Sequence, residues 1–237
     1  MLMMVLYPSL IAPLFNKFKP LEDESLKSRI EGLMQRTGFA SKGLFIMDGS
    51  KRSAHGNAYF SGFGASKRIV FFDTLIDRLA PQEIEAVLAH ELGHFKKKHI
   101  IKRISLLFIL SLVFLALLGY LKQQIWFYTG LGVDPILIGG TANNDAMALL
   151  LFMLTLPIFT FFFSPINAIT SRKHEFEADA FAAFHTKADD LISALVKMYD
   201  DNASTLTPDP LHSTFYDSHP SASLRIQQLT SPKEHHA

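Results

Sequence analysis

The chain has 237 residues, 49% of them hydrophobic, with 21 phenylalanines and a formal net charge of +1. A near-neutral balance gives no general attraction to nucleic acid, and the absence of cysteine excludes disulfides, thiolate metal sites and cysteine nucleophiles. Any metal must therefore be held by His, Asp or Glu, and so apolar a composition points to lipid contact or a very large core.

Residues 1–15 are apolar and uncharged but short for a full span, and Pro8 and Pro13 interrupt them. They read as the end of a membrane span or an interfacial segment rather than a signal peptide. Residues 21–40 are predicted helical, with Leu26, Ile30 and Leu33 at helical spacing and Gly38 as the stop. Two short β-like runs, 44–48 and 68–73, flank a glycine-punctuated stretch containing Gly56, Gly62 and Gly64; together they predict a small antiparallel sheet. Asp77 to His99 has a strong helical pattern, with Pro81 suited to a first turn. Ile104–Leu121 and Ala146–Ile169 carry no charge and read as two transmembrane helices forming a hairpin. Lys96, Lys97, Lys98, Lys102 and Arg103 precede the first, and Arg172 and Lys173 follow the second, whereas the connecting loop holds only Lys122, Asp134 and Asp145. The positive-inside rule then puts both outer segments on the cytoplasmic side, where distant parts of the chain can build one site.

His90-Glu91-Leu92-Gly93-His94 places two imidazoles four residues apart on one helical face, a spacing suited to a single zinc ion. Zinc accepts neutral imidazole nitrogens and keeps a position open in catalytic sites, and Glu91 is then the candidate general base for hydrolysis of a peptide bond. A polar face on a surface helix is the bland alternative. It is weakened by Ala86, Val87, Leu88, Ala89, Leu92 and Phe95, which make this helix largely apolar. A third ligand is expected after the second apolar stretch, in Ser171-Arg172-Lys173-His174-Glu175-Phe176-Glu177-Ala178-Asp179. Glu175 is the candidate, with Asp179 four residues on as an acceptor for a ligand imidazole N–H and Arg172 three residues before. Glu177 lies about 200° around the helix from Glu175 and is not expected at the same site. His55, His99, His174, His185 and His212 have no spacing partner and are expected to be structural or exposed; His235 and His236 read as a tail.

The HELGH helix, the S-R-x-x-E-F-E-A-D segment, Asn57-Ala58-Tyr59-Phe60, RIVFFDTLI and the late Ser218-His219-Pro220 occur in this order, and the set resembles the type I CAAX prenyl protease family of integral membrane zinc metallopeptidases. It is less similar to the heat-shock quality-control membrane proteases. The resemblance implies one zinc ion on His90, His94 and Glu175, Glu91 as base, and Asn57 and His219 helping to bind and stabilise the reacting carbonyl. It also implies further N-terminal spans in relatives, of which residues 1–15 resemble the tail. The expected fold is mainly α, a transmembrane hairpin (104–170) joining a gluzincin-like core from 21–103, with its small sheet, to a second catalytic half, 171–237; residues 1–20 form the terminal segment. Substrates implied are peptides or proteins, prenylated or membrane-associated. The location implied is a multi-pass place in the endoplasmic reticulum membrane of a eukaryote or the inner membrane of a bacterium. A heat-shock-type protease and a non-catalytic zinc-binding membrane remnant are the alternatives.

Overall fold

A computed structural model describes residues 12–51, 56–61, 67–142, 144–201 and 208–231. The expectations for residues 1–11, His55, Gly62, Gly64, His235 and His236 lie outside these. After a short α1 (Ala12–Phe15), β1 (Phe18–Pro20) leads into α2 (Glu24–Thr37). The Asp23 side chain starts α2 by accepting from the Ser25 and Leu26 N–H groups, and Gly38, at φ +60°, ends it. Leu26, Ile30 and Leu33 are buried along its inner face. β2 (Leu44–Met47), β3 (Ala58–Ser61) and β4 (Arg68–Phe72) complete a four-stranded sheet of order β1-β2-β4-β3.

The sheet is mixed, which corrects the antiparallel expectation. β2 and β4, the two apolar runs, pair in parallel, with Leu44 opposite Ile69 and Met47 opposite Phe72. β1 and β3 run antiparallel on the outer sides. Parallel neighbours need a long crossover, and the chain from Asp48 to Lys67 supplies it. β4 is interior, and Ile69, Val70 and Phe71 are consecutively buried, as expected of a strand covered on both faces.

The helix expected over 77–99 is shorter at both ends. α3 (Asp73–Arg78) precedes it, and Leu79 and Ala80 are extended, at ψ 142° and 154°. A residue before proline is driven out of the helical region, so α4 (Pro81–Lys96) starts at Pro81. At the other end Lys98 adopts φ +58°, and a new helix, α5 (His99–Leu121), begins after it.

α4 is the central helix, buried nearly all round and packed on α2, on α8 (Ser164–His185) and on α9 (Ala188–Asp201). Two buried carboxylates tie it to its neighbours. Glu85 accepts from Arg29 (3.1 Å) and Arg36 (2.7 Å) of α2. Glu83 accepts from Ser193 Oγ (2.6 Å) and Lys197 (2.7 Å) of α9, and from the Ala80 N–H. Burial alone would raise the Glu83 carboxyl, but these hydrogen bonds outweigh it and leave it below the ordinary carboxylate value. A depressed pKa contributes stability that is present above the unfolded value and lost as pH falls through the folded one. Glu83→Gln is therefore expected to destabilise the fold at neutral pH by about 1–3 kcal/mol. The deficit against wild type should shrink in acid melts; a constant deficit down to acid pH would contradict this account.

α5 carries 23 residues, and its most apolar 18-residue stretch, with mean hydropathy 2.6, contains no buried residue. It leads through α6 (Ile125–Thr129) and a β5–β6 hairpin (Leu137–Ile138, Thr141–Ala142) into α7 (Asp145–Phe161). Phe127, Tyr128, Leu151 and Phe152 form a small second core where α6 meets α7. The second apolar stretch, expected over 146–169, is divided between two helices. α7 and α8 meet at a 59° bend, so the described residues hold one helix apolar and long enough to cross a membrane, or two if the bent pair counts as a span. Pro165 explains the break, since its ring has no N–H and starts α8 rather than continuing α7. α10 (Pro210–Tyr216) and α11 (Ala222–Thr230) close over α8.

Candidate metal centre

The four-residue spacing within α4 brings His90 and His94 together, with their Nε2 atoms 3.1 Å apart. α8 crosses α4 at this level because both helices are small there: a Cβ on Gly93 would lie 2.9 Å from the Ala178 Cα. That approach delivers Glu175, whose Oε2 is 3.5 Å from His90 Nε2 and whose Oε1 is 3.3 Å from His94 Nε2. One donor atom from each of the three residues lies within 4.8 Å of the others.

The far nitrogens of both rings are engaged. His90 Nδ1 faces Asp179 Oδ1 at 2.8 Å, and His94 Nδ1 faces His99 Nδ1 at 3.0 Å. Each ring can therefore turn the Nε2 lone pair inward. Two such lone pairs and a carboxylate converging on one point repel unless a proton or a cation lies between them, and imidazole–imidazole–carboxylate is a donor set suited to a transition-series cation. The residues present fit a metal.

The centre is electrostatically tight. Burial alone pulls the His90 imidazole down, but hydrogen bonds to Asp179 and Glu175 outweigh it and push it up to about 9. Burial would likewise raise the Glu175 carboxyl, yet its bonds to His90 and His94 hold it well below the ordinary range. Asp179, 1% exposed, is gripped by a side chain that sequence reasoning missed. Arg225, on α11, donates from Nε (2.8 Å) and Nη2 (2.6 Å) to its two oxygens, and Nη1 stands 3.8 Å from Glu175 Oε2. Arg225 is buried together with Ala222 on the inner face of this short helix, and the local sequence carries no signal that marks it.

Glu91 lines a cavity of about 300 Å³ in front of His90, His94 and Glu175, together with Val87, Leu191 and His219. His219 stands at its open side, 64% exposed, with Nε2 3.5 Å from Glu175 Oε1 and Nδ1 2.9 Å from Ser218 Oγ. A hydroxyl donated to Nδ1 leaves the proton on Nε2, directed inward.

Two expected residues fall elsewhere. Arg172 does not reach the imidazoles: its Nη1 donates to the Ser213 and Asp217 carbonyls, at 2.7 and 3.0 Å, satisfying the last turn of α10. It thereby anchors the segment that leads to His219. Asn57 is exposed at the start of β3, accepts from the Phe72 N–H through its backbone carbonyl, and is not among the residues lining the cavity. His99, expected to be merely structural or exposed, is 4% exposed and bridges His94 to Glu177 Oε2 at 3.0 Å. Glu177 touches neither His90 nor His94, but connects to the centre through this bridge.

Residues 20–233 match the family model described as peptidase family M48. The chain is 38% identical over 246 residues to CAAX prenyl protease 1 of Saccharomyces cerevisiae, covering 96% of this chain and 52% of the relative. It is 42% identical to a CAAX prenyl protease 1 homolog of Arabidopsis thaliana, covering 97% and 53%. Among solved structures, that of S. mikatae Ste24p superimposes with a TM-score of 0.85 at 37% identity, covering 97% of this chain and 56% of the other. The chain thus spans about half the length of the curated relatives it matches. With the family model running from β1 to beyond α11 and through every residue of the metal centre, the chain belongs to peptidase family M48.

Proposed function

We propose that this chain is a zinc-dependent membrane endopeptidase of the CAAX prenyl protease type, with His90, His94 and Glu175 holding the ion. The observation that carries the reading is the convergence of those three donors on a cavity that Glu91 and His219 also line. When bound, zinc would act as a Lewis acid toward a carbonyl and lower the pKa of water. Glu91 takes the proton of the attacking water and passes it to the leaving amine. His219, on the open side, donates to the carbonyl oxygen as negative charge develops there. Residues 21–103 and 171–237 form the two halves of the site, and 104–170 joins them; the packing of α4 on α8 supports this division.

The names of the relatives support a prenylated peptide or protein as substrate. β3 ends the sheet order and gives an extended peptide an edge to lie along, with Asn57 at its start. The exposed apolar surface of α5 supports a place in the bilayer. The lysines and arginines at its entry and after the bend favour an active site on the cytoplasmic side.

Cleavage of a prenylated peptide by the full chain in liposomes tests the reading, comparing wild type with Glu91→Gln at equal zinc occupancy. Glu91→Gln is expected to lower kcat by about 10²–10⁴-fold. Equal turnover in both would sink Glu91 as base, and zinc bound without turnover in wild type would favour a zinc-binding remnant.

A further inference from the structure

His94 and His90 are oriented by different means. His90 is tied to Asp179 on the inner side of the centre. His94 turns the other way, toward His99. On a continuous helix, position 99 would sit about 140° around the axis from position 94, on another face. The chain departs from the helix at one residue, Lys98, whose φ of +58° makes it the one non-glycine with positive φ among the described residues. That conformation is disfavoured for a lysine. Its effect is to begin α5 at an angle that returns the His99 ring to His94, with centroids 5.1 Å apart.

Once there, His99 is held from α8 on two sides. His174 stacks on it at 4.0 Å and an interplanar angle of 13°. Glu177, three residues further along α8, meets its Nε2 at 3.0 Å. A carboxylate can only accept, so His99 donates from Nε2 and its Nδ1 carries a lone pair. That lone pair faces His94 Nδ1, which must then be the donor, and His94 Nε2 is left free to point at His90 and Glu175.

We infer that His99 and Glu177 form a positioning arm for His94, in which the Glu177 carboxylate, acting through His99, fixes the His94 ring as its Nδ1–H tautomer with Nε2 turned into the metal centre. The inference rests on the zinc reading above and assigns work to two residues that the zinc reading leaves idle. It also gives the backbone break between α4 and α5 a purpose: the first residue of the candidate membrane helix is a part of the metal centre's support.

The test uses the full chain in detergent with zinc, reading affinity by competition with a chromophoric chelator and the tautomers by ¹⁵N NMR of labelled histidines. His99→Leu is expected to weaken zinc binding about 10–100-fold, the usual effect of losing a partner of a ligating imidazole. The His94 Nδ1–H signal should be lost or shifted. His99→Gln, whose carboxamide can accept from His94 and donate to Glu177, is expected to recover most of the affinity. Glu177→Gln lies at the outer end of the arm, keeps an acceptor and leaves the core packing alone; a weakening of several-fold is expected, with helix content unchanged. A merely structural role would lower the melting temperature without moving the zinc affinity of the folded fraction or the tautomer. Wild-type zinc affinity and His94 signal retained in both His99→Leu and Glu177→Gln would overturn the inference. Failure of wild type itself to bind zinc would instead overturn the reading it rests on.

Discussion

Arg225→Ala is expected to destabilise the fold by about 3–5 kcal/mol, the cost of removing one partner of a buried ion pair and leaving the other charge behind. Asp179 is the charge left behind. It is almost wholly buried, its two oxygens accept from the Arg225 guanidinium, and without that fork only His90 faces it. A melting temperature lower by on the order of 10 °C follows for a chain of this size. Arg225→Lys should rescue little, because an ammonium on a flexible stem cannot make two parallel bonds to one carboxylate. The double variant Asp179→Ala/Arg225→Ala separates stability from metal binding. With both charges gone no buried carboxylate is stranded, so its melting temperature should exceed that of Arg225→Ala alone. Its zinc affinity should nevertheless stay low, since His90 has lost the acceptor that orients its ring. Melting curves and chelator competition on the three proteins check this; an Arg225→Ala protein that melts with wild type would show that the guanidinium does not hold Asp179.

The parts of this centre that could be read from the sequence are those that obey a helical repeat. His90 with His94, and Glu175 with Asp179, are each four residues apart, and both helices run unbroken through their pair, so spacing translates directly into a shared face. Arg225 follows no such repeat. It reaches Asp179 from a nine-residue helix near the end of the chain, and nothing in the local sequence distinguishes it from a surface arginine. His99 was hidden for a different reason. Its proximity to His94 depends on Lys98 entering the left-handed region, and no glycine or asparagine marks that turn. Helix geometry sets Glu177 on a different face from Glu175, and its link to His94 runs through His99, so that link has no mark in the local spacing. The direction of the β2–β4 pair was equally illegible, because short apolar runs specify burial and not strand polarity. The second apolar stretch is visible in the sequence, but the 59° bend within it depends on where Pro165 falls relative to the start of α8, which hydropathy does not encode.

Gly93→Ala is expected to abolish zinc binding and turnover in practice, although glycine in a helix interior is normally the less stable choice by about 1 kcal/mol. The sign reverses because of what the new methyl would meet. Its Cβ would lie 2.9 Å from the Ala178 Cα, 3.1 Å from the Ala178 carbonyl oxygen and 3.1 Å from the Phe181 Cβ. Two of these atoms are backbone, so no rotamer change relieves the contact and α4 and α8 must move apart. Overpacking of this kind costs about 1–3 kcal/mol, which the fold can survive. The centre is less tolerant. Glu175 lies one turn before Ala178 on α8, and metal geometry is satisfied only within about 0.2 Å. A shift approaching 1 Å in a reacting constellation removes about 10²-fold in rate, and here it also separates the third donor from the first two. Ala178→Gly should fail to rescue Gly93→Ala, since it deletes the Ala178 Cβ and leaves the Cα and carbonyl in place. Gly119→Ala on α5 is the matching control: nothing lies within 4 Å of its Cβ, so the ordinary helix preference should apply and zinc affinity should not change. If Gly93→Ala retained wild-type zinc affinity, the close crossing of α4 and α8 would not be what sets the distance from Glu175 to His90 and His94.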